Sequence, residues 1–205
     1  MSVLPRRRLF VLLCGLTGVG LLVTSATGGC GASGVDEAAR GYYGNDLVSL
    51  RLARAVAAGN SGQIARLVAD GSDPNAVGTD WITMAQWAIE AHSPDGLRAL
   101  LDAGAHRDRL GRAGRAPLHD AARQPDPRYV AILLAAGADP DVRVAHVRTT
   151  PLRETCLASV PATFEALAAG GADLDAEDAA GDRALQDHQV RLVPRAEAYK
   201  CPGGC

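Results

Sequence analysis

Aromatic side chains are scarce in this chain: two Trp, four Tyr and two Phe make up 4% of its 205 residues. A core built from large rings is thereby excluded. Because 47% of the residues are nonetheless hydrophobic, Ala and Leu carry the apolar load, which favours helices packed closely through small side chains. Charge of one sign is also missing. The formal net charge is −2 and Lys200 is the only lysine, so the chain as a whole has no strong pull on nucleic acid or anionic lipid. The patterns of common catalytic and metal sites are absent as well. None of His92, His106, His119, His146 and His188 stands in a His-Glu-x-x-His pattern or other metal-ligand spacing. No Gly-x-Ser-x-Gly elbow occurs, and Gly15, Gly18 and Gly20 lie in an apolar leader, not in a phosphate-cradling loop. The expectation is a chain with no catalytic residue, no metal, no cofactor and no small-molecule substrate.

What is present begins with a targeting segment. Arg6, Arg7 and Arg8 precede an almost unbroken apolar run from Leu9 to Val23. That run is shorter than the ~20 residues a membrane-spanning helix needs. A basic start, a short apolar run and small residues describe an export signal over 1–29, with a short membrane anchor as the other reading. Ala26-Thr27-Gly28-Gly29-Cys30 resembles the lipobox of bacterial lipoproteins. The resemblance implies cleavage before Cys30 and lipidation of its thiol, with burial contributing about 0.8 kcal/mol per CH₂. Thr27 stands where that family usually has Leu, so ordinary signal-peptidase cleavage near Ala26 or Gly29 stays open. Arg7-Arg8-Leu9-Phe10-Val11 also resembles a weak twin-arginine signal; a basic leader for the general export route is the plainer reading. Residues 30–45, rich in Gly and Ala without a period, are expected to form a flexible tether.

The remainder repeats itself. Gly71, Gly104, Gly137 and Gly171 recur at spacings of 33, 33 and 34, each after an apolar run such as Leu97-Arg98-Ala99-Leu100-Leu101. Leu52, Met84, Leu118, Leu152 and Leu185 mark the starts of the units. Periods of this length indicate a solenoid. Gly after each second helix supplies the left-handed stop, and Pro117 and Pro151 suit a first helical turn. Helical pairs are expected at 47–58 with 62–70, 82–91 with 95–102, 116–123 with 127–135, and 151–158 with 161–169.

Ala116-Pro117-Leu118-His119-Asp120-Ala121-Ala122 and Leu133-Leu134-Ala135-Ala136-Gly137-Ala138-Asp139-Pro140 resemble the two signatures of ankyrin repeats. The resemblance implies an all-α, ankyrin-like solenoid over 46–192. It would hold about four helix-turn-helix repeats and a C-terminal half-repeat cap at 181–191, followed by a tail at 193–205. It also gives His119 a structural role, tying one unit's turn to the next. The second unit, Ile82-Thr83-Met84-Ala85-Gln86-Trp87-Ala88, departs most from the pattern. Cys156 falls on a small-residue position and is expected to be a buried thiol. Cys201 and Cys205, in Cys-Pro-Gly-Gly-Cys, could close a small disulfide in an oxidising compartment.

In ankyrin-like stacks a partner protein meets the turns between units and the first helices. Carried onto this chain, the expected contacts are Thr79, Trp81, Gln86 and Glu90; Arg112, Arg115, Asp120 and Arg123; His146, Val147, Thr149 and Glu154; and Ala179, Ala180 and Asp182. Trp81 is the best candidate anchor, since Trp and Arg dominate interface energetics, whereas Trp87 aligns with a core Ala and is expected inside. Arg107, Arg109, Arg112, Arg115, Arg143 and Arg148 make the middle turns basic beside acids at Asp173, Asp175, Glu177, Asp178 and Asp182. That asymmetry fits either a complementary partner or a merely solvated surface. The functional expectation is a non-catalytic protein-binding module, lipid-anchored in the bacterial envelope and facing the periplasm or exterior. An immunity or inhibitor protein against an envelope-acting toxin, a thiol-dependent enzyme using Cys201 and Cys205, and a passive spacer are the competing readings.

Overall fold

The computed structural model describes residues 30–44, 46–144, 147–177 and 179. The leader at 1–29, the half-repeat at 181–191, His146, Ala180, Asp182, Cys201 and Cys205 lie outside the described residues. What is described is helical, without a strand: α1 (Cys30–Tyr43), α2 (Leu47–Ala57), α3 (Ser61–Ala69), α4 (Met84–Glu90), α5 (Pro94–Asp102), α6 (Pro117–Ala122), α7 (Arg128–Ala135), α8 (Pro151–Ala158) and α9 (Pro161–Ala169). The expected helical pairs are all found, each boundary within about two residues of its predicted place.

The helices form two layers. Each hairpin packs on the next, α2 on α4, α4 on α6 and α6 on α8 in one layer, and α3, α5, α7 and α9 in the other. Leu52, Ala85, Leu118 and Leu152, at spacings of 33, 33 and 34, are buried along the first layer. Ile64, Leu97, Val130 and Phe164 do the same in the second. Since Ala85, not Met84, stands 33 residues before Leu118, the register expected for the second unit was one residue early. Met84 occupies the Pro117 position at the helix start.

Each second helix ends as its glycine predicts. Gly71, Gly104, Gly137 and Gly171 have φ of +97°, +95°, +82° and +91°. At the first, the Gly71 N–H donates to the Val68 carbonyl (3.0 Å) and the Ser72 N–H to the Leu67 carbonyl (2.9 Å), so the last carbonyls of α3 are satisfied. The loops that follow are tied by a ladder that the signatures alone do not reveal. Side-chain oxygens of Asn75, Asp108 and Asp141 accept the backbone N–H of His106 (2.7 Å), Asp139 (3.2 Å) and Asp173 (2.8 Å) in the following unit. Polar groups too far from a helix to be capped by it thus find partners one repeat away.

The tether is where the structure departs from expectation. Residues 30–43 form helix α1, which packs on α2 and on the turn Thr79–Trp81. Ala39 and Tyr43 are buried, with Val35, Ala38 and Tyr42 partly covered. Composition misleads here because helix formation depends on tertiary packing of one apolar face more than on local propensity. An (i, i+4) ion pair, Asp36–Arg40 at 3.3 Å, adds a small local contribution.

Candidate partner-binding face

The inner face of the stack is defined by four residues in equivalent positions, Arg54, Trp87, Asp120 and Glu154, each two places after the buried Leu52, Ala85, Leu118 or Leu152. Turns project beside it. The second unit's turn is closed by the Gly78 N–H donating to the Ile82 carbonyl (2.8 Å), and the third's by the Gly111 N–H to the Arg115 carbonyl (2.9 Å). Both turns place two successive residues at positive φ: Asp80 (+58°) with Trp81 (+62°), and Ala113 (+55°) with Gly114 (+67°). Glycine adopts such a backbone freely, whereas a bulky residue does so at a cost of roughly 1–2 kcal/mol. Trp81 therefore sits strained where its sibling unit has Gly114, and its side chain remains 75% exposed.

Several expected contact residues turn out to be internal. Gln86 is buried: Oε1 accepts the Thr83 N–H (3.1 Å) while Nε2 donates to the Arg115 carbonyl (3.2 Å) and to Asp120 Oδ2 (2.7 Å). Its counterpart 33 residues on is His119, fully buried, whose Nδ1 accepts the Ala116 N–H (3.3 Å) and whose Nε2 faces the Thr149 carbonyl (3.1 Å). With Nδ1 accepting, the proton resides on Nε2, which donates. Gln86 thus performs in the second unit what the signature histidine performs in the third, and the 33-residue spacing was the signal that could have revealed it. Burial pushes the His119 imidazole below its ordinary pKa, although the Thr149 hydrogen bond works the other way.

Glu154 is likewise buried, and its carboxylate accepts from Arg115 (3.0 Å) and Arg123 (3.2 Å). Arg115 also reaches Asp120 (3.1 Å) and the His119 carbonyl (3.3 Å). These five residues and Gln86 form one network spanning three units. Thr149 is buried too. Gln86, Thr149 and Glu154 are therefore withdrawn from the exposed contact set, because their side chains or backbones already serve neighbouring units. Asp120, Arg115 and Arg123 stay at the edge of the network, partly open to water.

The basic middle is largely spoken for as well. Arg107 donates to the Gly137 carbonyl (2.7 Å), and Arg143 to the Glu177 carbonyl (2.8 Å). Arg112 donates to Tyr42 Oη (2.7 Å), with Glu90 3.7 Å away. The charge asymmetry read from the sequence is thus mostly consumed in joining units, since an arginine near a carbonyl or carboxylate offers less to a partner.

The first half of the inner face is covered. Asp36 of α1 pairs with Arg54. The rings of Tyr42 and Tyr43 meet Trp87 edge-on at 5.9 and 6.5 Å. Trp87 itself is 1% exposed and donates from Nε1 to the Ala53 carbonyl (2.8 Å). It was expected inside, but as the counterpart of a core alanine; it is instead an inner-face residue that α1 encloses. Tyr43 Oη donates to the Ile82 carbonyl (3.3 Å), Tyr42 Oη to Glu90 Oε1 (2.9 Å), and Thr79 Oγ1 to the Gly41 carbonyl (3.1 Å). Burial, then the Glu90 charge, pushes the Tyr43 phenol up, and the Tyr42 hydrogen bond does the same for the Arg112 guanidinium. Thr79, Glu90 and Arg112, three of the expected partner contacts, are already in contact with α1.

Among the described residues no group of His, Cys, Asp and Glu is arranged to hold a metal, and no helix is long and apolar enough to cross a membrane. Cys156 is buried, as its small-residue position implied. A hollow of about 360 Å³ between α5 and α7 is lined by Leu101, Ala131, Ile132, Ala135 and Ala136 together with the charged Arg98, Asp102 and Arg128.

Comparison with known proteins agrees with this architecture. Residues 52–144 match the family model described as ankyrin repeats (3 copies). The chain is 36% identical over 120 residues to Protein PhlB of Serratia liquefaciens, a stretch covering 58% of this chain and 52% of PhlB. It is 35% identical over 106 residues to Palmitoyltransferase Hip14 of Drosophila melanogaster, covering 51% of this chain but 16% of Hip14. The match therefore spans about half the length of the first relative and a small part of the second. With paired helices repeating at about 33 residues, glycine-stopped second helices and a buried signature histidine, residues 52–144 are ankyrin repeats, and the described domain is an all-α ankyrin solenoid.

Proposed function

We propose that this protein is a non-catalytic binding module held at the bacterial cell envelope through a lipid on Cys30, and that it grips a partner protein at the turn carrying Trp81. The observation that carries the reading is Trp81 itself. A large apolar ring is held in solvent on a backbone that disfavours it, at a position where the next unit has Gly114. Strain and exposure together are disadvantageous for stability and are retained where they serve recognition. The anchor is supported by the basic leader, the short apolar run and the small residues before Cys30. Helix α1 starts at Cys30, so the repeats would stand close to the membrane surface. The exposed contact set reduces to Trp81, Arg123, Val147 and Ala179, with Arg115 and Asp120 partly open and Thr79, Glu90 and Arg112 shared with α1.

The test uses the full chain, tagged at its C-terminus in its native cell, with membranes isolated and mildly crosslinked. A stoichiometric partner recovered with the wild type and lost with Trp81→Gly is the expected result. Trp81→Gly should also stabilise the isolated protein by about 1 kcal/mol, since glycine relaxes the positive φ. Cys30→Ser should release the chain from membranes. Equal recovery of the partner with Trp81→Gly, or unchanged membrane association of Cys30→Ser, would remove the corresponding half of the reading.

A further inference from the structure

The same register that defines the inner face shows that α1 sits on a site. Arg54, Trp87, Asp120 and Glu154 are equivalent positions of successive units. The latter two meet other parts of the stack, whereas Arg54 and Trp87 meet α1 through Asp36, Tyr42 and Tyr43. Beneath those tyrosines lies a compact set of complementary groups. Trp87 offers its ring to an aromatic edge, the Ile82 carbonyl accepts a phenol, and Glu90 and Arg112 bracket a hydroxyl from opposite sides. Arg112 also stands 5.2 Å from the centre of the Tyr42 ring, within the range of a cation–π contact.

The occupant is weakly built compared with what it occupies. Of the α1 side chains from Gly34 onward, Ala39 and Tyr43 are the buried ones, whereas six of the seven residues of α4 are buried. Gly34 and Gly41 lie within the helix, and a Cβ at either would meet nothing within 4 Å. Packing therefore does not demand glycine there, yet glycine is among the poorest helix formers. The hydrogen bonds that hold α1 at Tyr42 and Gly41 are exposed to water, which makes them inexpensive to exchange for others. A helix with few buried side chains and solvent-reachable hydrogen bonds belongs to the part of a protein that opens locally.

Resting on the reading above that the protein binds a partner, we propose that the inner-face site formed by Ile82, Trp87, Glu90 and Arg112 receives an aromatic-bearing segment of the partner, and that α1 occupies this site in cis until the partner displaces it. The segment needs what Tyr42 and Tyr43 supply: adjacent aromatic rings, one bearing a hydroxyl that reaches Glu90 and Arg112. A partner gripping Trp81 on the neighbouring turn would be in position to deliver such a segment. Displacement would uncover Trp87 and the face of α2 on which α1 packs, while the contacts of α2 to α9 with one another remain.

Hydrogen exchange of the full chain, without partner, is the first measurement. Backbone amides of residues 35–43 should exchange roughly tenfold or more faster than those of α4, through local opening. Tyr42→Phe, which removes the hydroxyl between Glu90 and Arg112, should speed exchange in α1 severalfold, while Gly34→Ala with Gly41→Ala should slow it; neither should change α4. In the crosslinking experiment, the yield of partner should rise with Tyr42→Phe and fall with the double alanine variant. Protection of α1 equal to that of α4 would make it a permanent cap and overturn the proposal. So would partner yields that ignore both α1 variants while falling with Trp81→Gly, an outcome that leaves the proposed function standing. Loss of dependence on every variant, Trp81→Gly included, would defeat both.

Discussion

Two polar junctions hold this molecule together, and water reaches them to different depths. Between the third and fourth units, His119 is fully enclosed between the Ala116 N–H and the Thr149 carbonyl, and Glu154 is buried against Arg115 and Arg123. Between α1 and the first two units, Tyr42 meets Glu90 and Thr79 meets the Gly41 carbonyl in the open, Arg54 meets Asp36 at a half-buried position, and only the Tyr43 bond to the Ile82 carbonyl is buried among these. The hydrogen bonds have similar lengths, but their consequences differ. Removing a buried partner strands a desolvated group, whereas an exposed one is replaced by water. The first junction therefore specifies the stack and the second can be exchanged.

The contrast breaks hardest at His119. Alanine there would strand the Ala116 N–H and the Thr149 carbonyl and leave a void, a loss of about 3 kcal/mol measurable by urea denaturation. Glu154→Ala comes next, at about 2 kcal/mol, since Arg115 keeps Asp120 and the His119 carbonyl as partners.

A pH effect of up to about 1.4 kcal/mol per pH unit follows from the same histidine. Its folded-state pKa lies below the ordinary 6.5, so the unfolded chain binds the proton more readily. Its contribution is complete above pH 6.5 and declines as pH falls from there towards the folded-state value. His119→Gln should remove that dependence while costing little, because Gln86 already makes the same pair of hydrogen bonds in the second unit. Urea midpoints at pH 7.5 and 5.5 would check both statements. The smallest effect belongs to the exposed junction: Tyr42→Phe should change global stability by less than about 1 kcal/mol while altering exchange in α1. A loss as large as that of His119→Ala would erase the distinction between the two junctions.

Much of the stack was legible in the sequence because its determinants are local and periodic. Gly137 stops a helix by its own backbone freedom, Pro117 and Pro151 begin helices, and Leu118 and Leu152 recur on one face. The register of the second unit was harder, since Met84 is apolar like Ala85 and Gln86 does not look like a histidine. Strict counting of 33 residues from His119 would have identified it. For the candidate site, the exposure of Trp81 and the burial of Trp87 were both anticipated, but the reason for the latter was not.

The sequence by itself determined the period, the helical hairpins and their glycine stops, which depend on local and periodic residues, and its likeness to a known repeat pointed to the structural role of His119, whose Nε2 reaches the Thr149 carbonyl. Only the tertiary structure decided that the Gly-rich segment becomes a helix and that it lies on the inner face. It also decided that the arginines of the middle turns are spent between units. Those outcomes rest on contacts between residues far apart in the chain, such as Tyr42 with Arg112, 70 positions away. No local propensity encodes such a contact; it exists because the packed stack forms the surface that α1 covers.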